Sequence, residues 1–398
     1  MAKPLTYQPL ADLGLNGLNT QSNPATLDHT WLTKAENVVL RESGRITFRK
    51  GLKQKVAPNG SAAAIVTMTE HNDQGTNKIF ASYGTSIYTV DFTTPAGAFP
   101  SSGADVKHTV GSTTGDWQFV NFNNRLHCFH AGVIPQRYDG SLGSGVKWTA
   151  HATDPASIAT LFDPSCGMGF YGRIWCGGVA EAKDVVYYSN LLDGDDWTGG
   201  DTGLLDLSKV WGTDEVVAIA PFYGKLVIFG KNNIAIYNSP SVVGSLALDE
   251  VISGIGCVSR DSVQAIGDDL VFLSETGLRS LARTTEKDKL PLMDLSVNIK
   301  DTLIRNIGSS TNVKSVYVEN EGIYIMSFVD KNVNYVFDFK HITPNEVPRI
   351  TTWSFDLDRE PASMIDTELY SGLLVGQKDG SIAGYEGYFD TDLAWVDS

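Results

Sequence analysis

Short runs of alternating hydrophobic and polar residues dominate the chain. The runs are about 5 to 8 residues long and rich in Val, Ile, Tyr, Phe and Thr, and Gly, Asn and Asp divide them. A period of two is typical of β-strands, because successive side chains of a strand point to opposite faces. Long stretches with the 3.6-residue period of a helix are almost missing. The pattern predicts an all-β protein.

One segment has the pattern of a helix. In 294–308, apolar residues recur every four positions and a glycine stands at the end. These apolar residues are Leu295, Ile299, Leu303 and Ile307. The spacing predicts a helix with one buried side that ends near Gly308.

The strand pattern repeats. Seven stretches share the order strand, tight turn, strand, loop, strand, with a spacing of roughly 40 to 55 residues that is typical of propeller blades. The stretches are 65–92, 117–140, 166–190, 216–238, 262–282, 313–340 and 362–387. Further short candidate strands follow several of them, at 106–110, 146–150, 246–252 and 349–355.

Four strands per unit form the blade of a β-propeller, and radial stacking of blades covers both apolar faces of each sheet. We therefore predict a single all-β propeller of seven four-stranded blades over 37–398, with one or two short helices at most. Six or eight blades remain open, because outer strands have the weakest pattern.

In this arrangement the last blade needs an outer strand from the N-terminal part of the chain. The last stretch, 362–387, lacks a clear outer strand, whereas the early hairpin 37–51 has no blade of its own. We predict that this hairpin pairs with the last blade and closes the ring. Residues 1–36 have weak internal patterning and are expected to form an extended N-terminal arm for assembly; a frayed terminus is the alternative.

Composition limits the classes of function. The chain has 398 residues, 42% hydrophobic, with 31 basic and 46 acidic residues and a net charge of −15. This balance argues against a broad surface that grips nucleic-acid phosphates. The sequence shows no export signal and no membrane-length apolar run, so we expect a soluble protein made in a reducing cytoplasm. The 4 scattered cysteines are expected to be free thiols.

The candidate chemical motifs are weak. Gly167, Gly169 and Gly172 spell GxGxxG, but a strand follows where a dinucleotide site needs a helix, so a turn is favoured. The HCFH segment 127–130 offers two soft ligands on one strand face, with no second cluster to complete a zinc site. The acidic loop 190–201 lacks the ligand spacing of a calcium loop.

No signature of an enzyme appears. A nucleophile elbow, a phosphate-binding loop and a zinc-protease helix are all missing from the sequence. Paired carboxylates from different blades remain open, because their spacing along the chain would not reveal them. We expect no catalytic residue, no cofactor and no metal.

Two segments resemble a known family. These are 15–54 and 253–281, and they are similar to the β-propeller nozzle proteins of short-tailed bacteriophages, known as tail tubular protein B, tail hub or packaged-DNA stabilisation proteins. The first segment carries the family's early pattern at Asn37, Gly44, Arg49 and Gly51, with slightly different spacing. The second carries the later pattern at Gly256, Ser262, Gly267, Phe272, Leu273, Ser274 and Gly277. Segments 185–198 and 222–237 also look like blades of that family.

The resemblance implies a structural protein of the virion tail. Such a protein forms a ring, a hexamer in the best-known relatives, below a tail adaptor protein, retains packaged double-stranded DNA and conducts it during ejection. Tail fibres or spikes and the host cell envelope are the other implied partners. Larger members carry inserted domains for which this chain has little room.

Charge suggests how DNA would slide through such a ring. Six copies at −15 each would carry about −90, and an acidic lumen repels the polyanion. Our candidate lumen residues are Asp193, Asp195, Asp196, Asp201, Glu319 and Glu321.

The alternative is a carbohydrate-binding or carbohydrate-active propeller that recognises host surface glycans. Exposed aromatic rings would stack on sugars, and the candidates are Trp117, Trp148, Trp175 and Trp353. Such rings more often belong to the blade core.

Overall fold

The protein is a seven-bladed β-propeller. The computed structural model describes residues 12–41, 45–90, 92, 107–109, 115–142, 147–282, 294–310 and 312–387. The predicted fold class and blade number are confirmed.

Within the described residues, five short strands precede the first complete blade. These are β1 (Gly17–Leu18), β2 (Trp31–Leu32), β3 (Val38–Leu40), β4 (Ile46–Phe48) and β5 (Leu52–Val56). β1 pairs with β2 in parallel, and β3 pairs with β4 as a hairpin.

The seven blades follow one another along the chain, each an antiparallel sheet in sequential order. Blade 1 has β6 (Thr67–Asp73), β7 (Thr76–Tyr83), β8 (Ser86–Val90) and β9 (Lys107–Thr109), and blade 2 has β10 (Gln118–Phe122), β11 (Arg125–His130), β12 (Val133–Tyr138) and β13 (Trp148–Ala150). Blade 3 has β14 (Cys166–Phe170), β15 (Arg173–Val179), β16 (Ala182–Tyr188) and β17 (Gly203–Asp206), followed by the helix α1 (Ser208–Trp211). Blade 4 has β18 (Val216–Phe222), β19 (Lys225–Gly230), β20 (Asn233–Asn238) and β21 (Ala247–Ser253). Blade 5 has three described strands, β22 (Gln264–Ile266), β23 (Asp269–Ser274) and β24 (Gly277–Ser280).

After blade 5 comes the predicted helical segment, which is confirmed. It forms a 3-10 turn at Val297–Ile299 and the helix α2 (Lys300–Ile307). Its four apolar positions are buried against blades 5 and 6. Blade 6 has β25 (Val313–Val318), β26 (Ile323–Phe328), β27 (Val333–Ile342) and β28 (Pro348–Trp353), and blade 7 has β29 (Pro361–Thr367), β30 (Gly372–Gln377) and β31 (Ile382–Tyr385). No helix among the described residues is long and apolar enough to cross a membrane.

The core lies between the blades. Buried apolar side chains form clusters that each join two neighbouring sheets, as where Val227 and Phe229 of blade 4 pack with Leu270 and Phe272 of blade 5. Similar clusters join the other pairs of neighbours, including blade 7 with blade 1. Both faces of each sheet are thus covered by neighbours, which a single blade could not achieve alone.

The ring is closed by a strand of the N-terminal region, but the predicted strand was wrong. β5 pairs antiparallel with β31, as in Leu52↔Tyr385 and Val56↔Ile382, and completes blade 7. Within the hairpin 37–51, β3 and β4 pair with each other, whereas Gly51 at its end bonds to residues 386–387 of blade 7. Residues 52–56 carry the alternation that fits the sheet, with Leu52 and Val56 buried at its two ends.

The described part of the N-terminal arm packs on blade 6. Ala35 and Asn37 exchange backbone hydrogen bonds with Thr352 of β28, both 2.8 Å long. Gly17, with φ of 83°, lies so close to Ile350 that a Cβ would be 2.9 Å from its carbonyl oxygen. Residues 12–36 therefore pack on the propeller. Residues 1–11 lie outside the described residues.

Candidate functional site

The first strands of neighbouring blades contact one another and line the central axis. They all run in the same direction in a propeller, so their ends define two faces. The turns from first to second strand lie on one face, which we call the turn face. The connections that enter the first strands lie on the other, which we call the entry face.

A charged cluster crosses the axis at the entry face. Arg260, which precedes blade 5, donates to the carbonyl oxygens of Asp116 before blade 2 (2.9 Å) and Ser165 before blade 3 (2.5 Å). Lys314 of blade 6 donates to the carboxylates of Asp116 and Asp261, at 2.6 Å each. Four blades are thereby tied together across the centre.

The charges of this cluster hold one another in the ionised state. Burial alone would lower the pKa of Arg260 and Lys314, but the carboxylates of Asp261 and Asp116 outweigh it, so both pKa values are raised. Burial alone would raise the pKa of Asp261, but Lys314 and Arg260 outweigh it and lower it. The cluster spans the axis of the propeller at the entry face.

The turns of the turn face carry no basic residue, and the basic side chains at turn 319–322 come from neighbouring segments: Lys340 donates to the Asn320 carbonyl at 2.6 Å and Lys50 pairs with Glu321. The turns are 74–75, 123–124, 171–172, 223–224, 267–268, 319–322 and 368–371, and none of these residues is Lys or Arg. Three acidic side chains are exposed in these turns, those of Asp268, Glu319 and Glu368. Asp193 is exposed in the loop between the third and fourth strands of blade 3, which lies on the same face.

The six predicted lumen residues divide between surface and interior. Asp193, Asp201 and Glu319 are exposed. Asp196 is half-buried and accepts hydrogen bonds from the backbone of Thr198 and Gly199, at 3.0 and 2.8 Å. Glu321 is half-buried and pairs with Lys50 at 2.5 Å.

Asp195 was wrongly assigned to a lumen. It is 5% exposed and forms ion pairs with Arg137 and with Arg125, the latter at 3.3 Å. Both arginines belong to blade 2, so Asp195 ties the blade 3 loop to its neighbour. The sequence contained no local signal for this pairing, because Arg125 and Asp195 are 70 residues apart.

Two buried histidines lie beside Asp195. His127 Nδ1 and His151 Nε2 are 3.0 Å apart, and Asp195 Oδ1 is 3.9 and 3.7 Å from them. Ligands about 2.0 to 2.1 Å from a tetrahedral zinc would be separated by roughly 3.3 Å, so the spacing alone suits a metal. The sequence analysis did not predict this group, because His151 and Asp195 are distant in sequence from the HCFH segment.

The hydrogen bonding does not fit a metal. Trp197 Nε1 donates to His151 Nδ1 at 3.0 Å, so neutral His151 carries its proton on Nε2, the atom a metal would need. Metal-bound histidines instead donate from their second nitrogen. The adjacent Arg125 and Arg137 also oppose a cation. The group is a buried polar network in which burial lowers the pKa of His151 to about 3 and of His127 well below its usual value.

The residues that carry the family resemblance hold the fold together. Buried Arg49 donates to Asn37 Oδ1 at 2.9 Å and to the Ser354 carbonyl at 3.0 Å, and its guanidinium lies 4.4 Å from the ring centre of Phe355. Gly51 exchanges backbone hydrogen bonds with 386–387 at the end of blade 7. Gly44 lies outside the described residues.

The later pattern also fastens blades. Ser262 Oγ donates to the Ser259 carbonyl at 2.6 Å and accepts from the Leu273 amide at 3.1 Å. Tyr324 of blade 6 donates to the Ser262 carbonyl at 2.9 Å. Phe272 and Leu273 are fully buried. The pattern therefore marks the junction of blades 5 and 6.

The remaining motifs are structural. The GxGxxG glycines lie in the β14–β15 hairpin, as the turn interpretation predicted. The four cysteines are free and buried, as predicted. Trp117, Trp148, Trp175 and Trp353 are at most 4% exposed, so they are core residues and do not offer the stacking surface of the alternative function.

The structure is thus a seven-bladed propeller that β5 closes. A charged cluster spans its axis, and acidic turns lie on one face. No protein-family model matches the sequence, and no curated protein matches it. Among solved structures, Raptor from Chaetomium thermophilum is similar, with a TM-score of 0.54 and 13% identity over 88% of this chain and 30% of that chain. The chain therefore spans less than a third of Raptor, and so low an identity shows the fold alone.

Proposed function

We propose that the protein is a structural subunit of a bacteriophage tail, in which a ring of copies forms the nozzle that retains packaged DNA and conducts it during ejection. The acidic turns of blades 5, 6 and 7 are the observation that carries this proposal. Exposed Asp268, Glu319 and Glu368 lie there without an accompanying Lys or Arg in the turns. A surface of this kind repels phosphates and lets DNA move without adhering.

The charged cluster across the axis supports a conduit that lies between copies. Because Arg260 and Lys314 cross the centre of the propeller, DNA passes between copies and not through one of them. Each subunit then acts as a solid block whose turn face lines part of the shared lumen. No catalytic step, metal or cofactor takes part in this function.

The family resemblance supports the same proposal. Its two patterns occupy the positions that fasten the N-terminal segment to blades 6 and 7 and join blade 5 to blade 6. The resemblance also supplies the proposed partners, which are a tail adaptor protein, tail fibres or spikes and the host envelope.

A charge-reversed variant tests the proposal. We compare Asp268→Lys with Glu319→Lys on the turn face against a matched control, Glu275→Lys with Asp358→Lys, whose exposed side chains lie towards the entry face. The assembled wild type and control should leave double-stranded DNA unbound at low salt. The turn-face variant should retain DNA, measured by gel shift. Tight DNA binding by the wild type contradicts the proposal.

A second candidate, a glycan-binding propeller, is favoured by one observation. Tyr171 and Tyr223 expose 47% and 69% of their surface on the turn face. Aromatic rings of this kind stack on sugars. Binding on a glycan array that is lost in Tyr223→Ser would favour this candidate.

A further inference from the structure

An apolar patch lies on the turn face at blades 3 and 4. It consists of Tyr171, Leu191, Leu192 and Tyr223, which are 47, 47, 63 and 69% exposed. We call it the tyrosine patch.

The patch is continuous. Leu191 and Leu192 side-chain carbons lie 3.1 and 3.3 Å from where a Cβ of Gly172 would be, and the Tyr171 hydroxyl lies 3.2 Å from the corresponding point at Gly224. Tyr223 stacks edge-on against Phe222, with ring centres 4.6 Å apart. A continuous exposed surface of large apolar side chains marks a contact with another molecule.

The backbone supports this interpretation. Tyr171 and Tyr223 both have a φ of 47°, in the left-handed region that bulky residues avoid. Asn occupies the equivalent turn in blade 2, at Asn123 and Asn124, where it tolerates that conformation well. The strained backbone of these two tyrosines indicates a role for their exposed rings.

A second exposed surface has the opposite character. In the β3–β4 hairpin, Ile46 and Phe48 are 41% and 55% exposed, and Arg41 and Arg45 are exposed beside them. We call this the basic hairpin. Arg49 is buried, and Lys50 and Lys55 pair with Glu321 and Glu386, so Arg41 and Arg45 are the charges that this hairpin presents.

The two surfaces complement each other in charge and in apolar character. The hairpin offers Phe48 and Ile46 flanked by arginines, whereas the tyrosine patch offers aromatic and leucine side chains flanked by exposed Asp193. They cannot meet within one subunit, because the hairpin packs on blades 6 and 7 and the patch lies on blades 3 and 4. A second copy of this chain offers each surface its complement.

We propose that the basic hairpin of one copy docks on the tyrosine patch of the next. This inference rests on the proposed ring function and names its contact. Pairing two hairpins would oppose Arg41 and Arg45 with themselves, and pairing two patches would oppose Asp193 with itself. The contact is consequently head-to-tail, the type that generates rings when the rotation closes.

In this arrangement the tyrosine patch is covered while the acidic turns of blades 5 to 7 stay open. The contact uses the turn face of blades 3 and 4 in one copy and the hairpin beside blades 6 and 7 in the next, and Asp268, Glu319 and Glu368 are not among the residues of either surface. In this proposal the tyrosine patch forms the contact between copies, and the acidic turns of blades 5 to 7 line the lumen.

A charge exchange tests the contact in the full-length protein. Arg45→Asp and Asp193→Arg should each lower the amount of ring, and the double variant should restore it. Phe48→Ser and Tyr223→Ser should each raise the concentration needed for assembly at least tenfold, since buried aromatic anchors dominate interfaces. The matched control, Leu357→Ser, removes a residue that is 71% exposed elsewhere and should leave the ring unchanged.

Sedimentation velocity measures ring formation against concentration, and circular dichroism checks that each variant is folded. Rings of Phe48→Ser and Tyr223→Ser as stable as those of the wild type would overturn the contact but leave the nozzle proposal standing. A wild type that is monomeric at every concentration would overturn both. Glycan binding at Tyr223 with undiminished assembly of Phe48→Ser would overturn the contact in favour of a sugar site.

Discussion

At the scale of single residues, the fold depends on polar groups buried between elements that are distant in sequence. Arg49 is fully buried yet joins Asn37, the Lys50 carbonyl and the Ser354 carbonyl. Its flat guanidinium donates in several directions at once, which an ammonium group cannot reproduce.

Arg49→Lys should therefore lower the free energy of unfolding by about 3 kcal/mol, since it leaves buried acceptors without donors. Urea denaturation measures the change. The matched control is Arg45→Lys at an exposed position of the same hairpin, where we expect a change within about 0.5 kcal/mol. Equal effects of the two variants would contradict the assigned role.

The histidine network predicts a pH dependence. Burial lowers the pKa of His151 to about 3, and Arg137 adds to the shift. In the unfolded chain the imidazole binds a proton near pH 6.5, whereas the folded chain stays neutral until about pH 3. The stability that neutral His151 contributes is therefore fully present above pH 6.5 and is lost as the pH falls towards 3.

Each histidine with this behaviour should lower the free energy of unfolding by about 2 kcal/mol as the pH falls from 7 to 5. The variant His151→Gln should lose its share of that slope, because Arg125, Arg137 and Asp195 remain in place around it. Denaturation curves at the two pH values give the slope. An unchanged slope in the variant would show that His151 is not buried as a neutral group.

Residue-scale chemistry was only partly predictable from the sequence. The GxGxxG segment was correctly interpreted as a turn, because no helix follows 167–172. The burial of Asp195 was not predictable, because its arginine partners lie on another blade and nothing near 195 indicates them.

At the scale of elements, local patterning predicted most of the strands. The four proposed outer strands coincide with β9, β13, β21 and β28. β17 was missed because Gly203–Asp206 follows a glycine-rich, acidic loop and has only four residues. The closing strand was misplaced because a hairpin signal at 37–51 is locally stronger than the five residues that pair with β31 across the whole chain.

Closure by β5 gives a prediction. Leu52 is 2% exposed and packs with Trp353 and Val375 of the last two blades. Leu52→Ala should lower the free energy of unfolding by about 3 kcal/mol through the lost contacts and the cavity left behind. The exposed neighbour variant Lys53→Ala serves as the control. Thermal unfolding distinguishes them, and a Leu52→Ala protein that melts with the wild type would exclude β5 as the closing strand.

At the scale of the whole molecule, the acidic chain carries one concentrated basic segment and one apolar patch on the opposite side of the ring of blades. A charge of −15 gives long-range repulsion between copies, which a short basic hairpin offsets at one place. Assembly should therefore strengthen as salt screens the general repulsion, until the local pairs are screened as well.

The central claim is that the conduit lies between copies, with the turn faces towards it. Electron microscopy of the assembled full-length protein tests this most directly. The account predicts a ring, sixfold if the proposed nozzle function holds, whose central opening is bounded by the turns at 267–268, 319–322 and 368–371. A monomer, or a ring in which these turns face outwards, would contradict it.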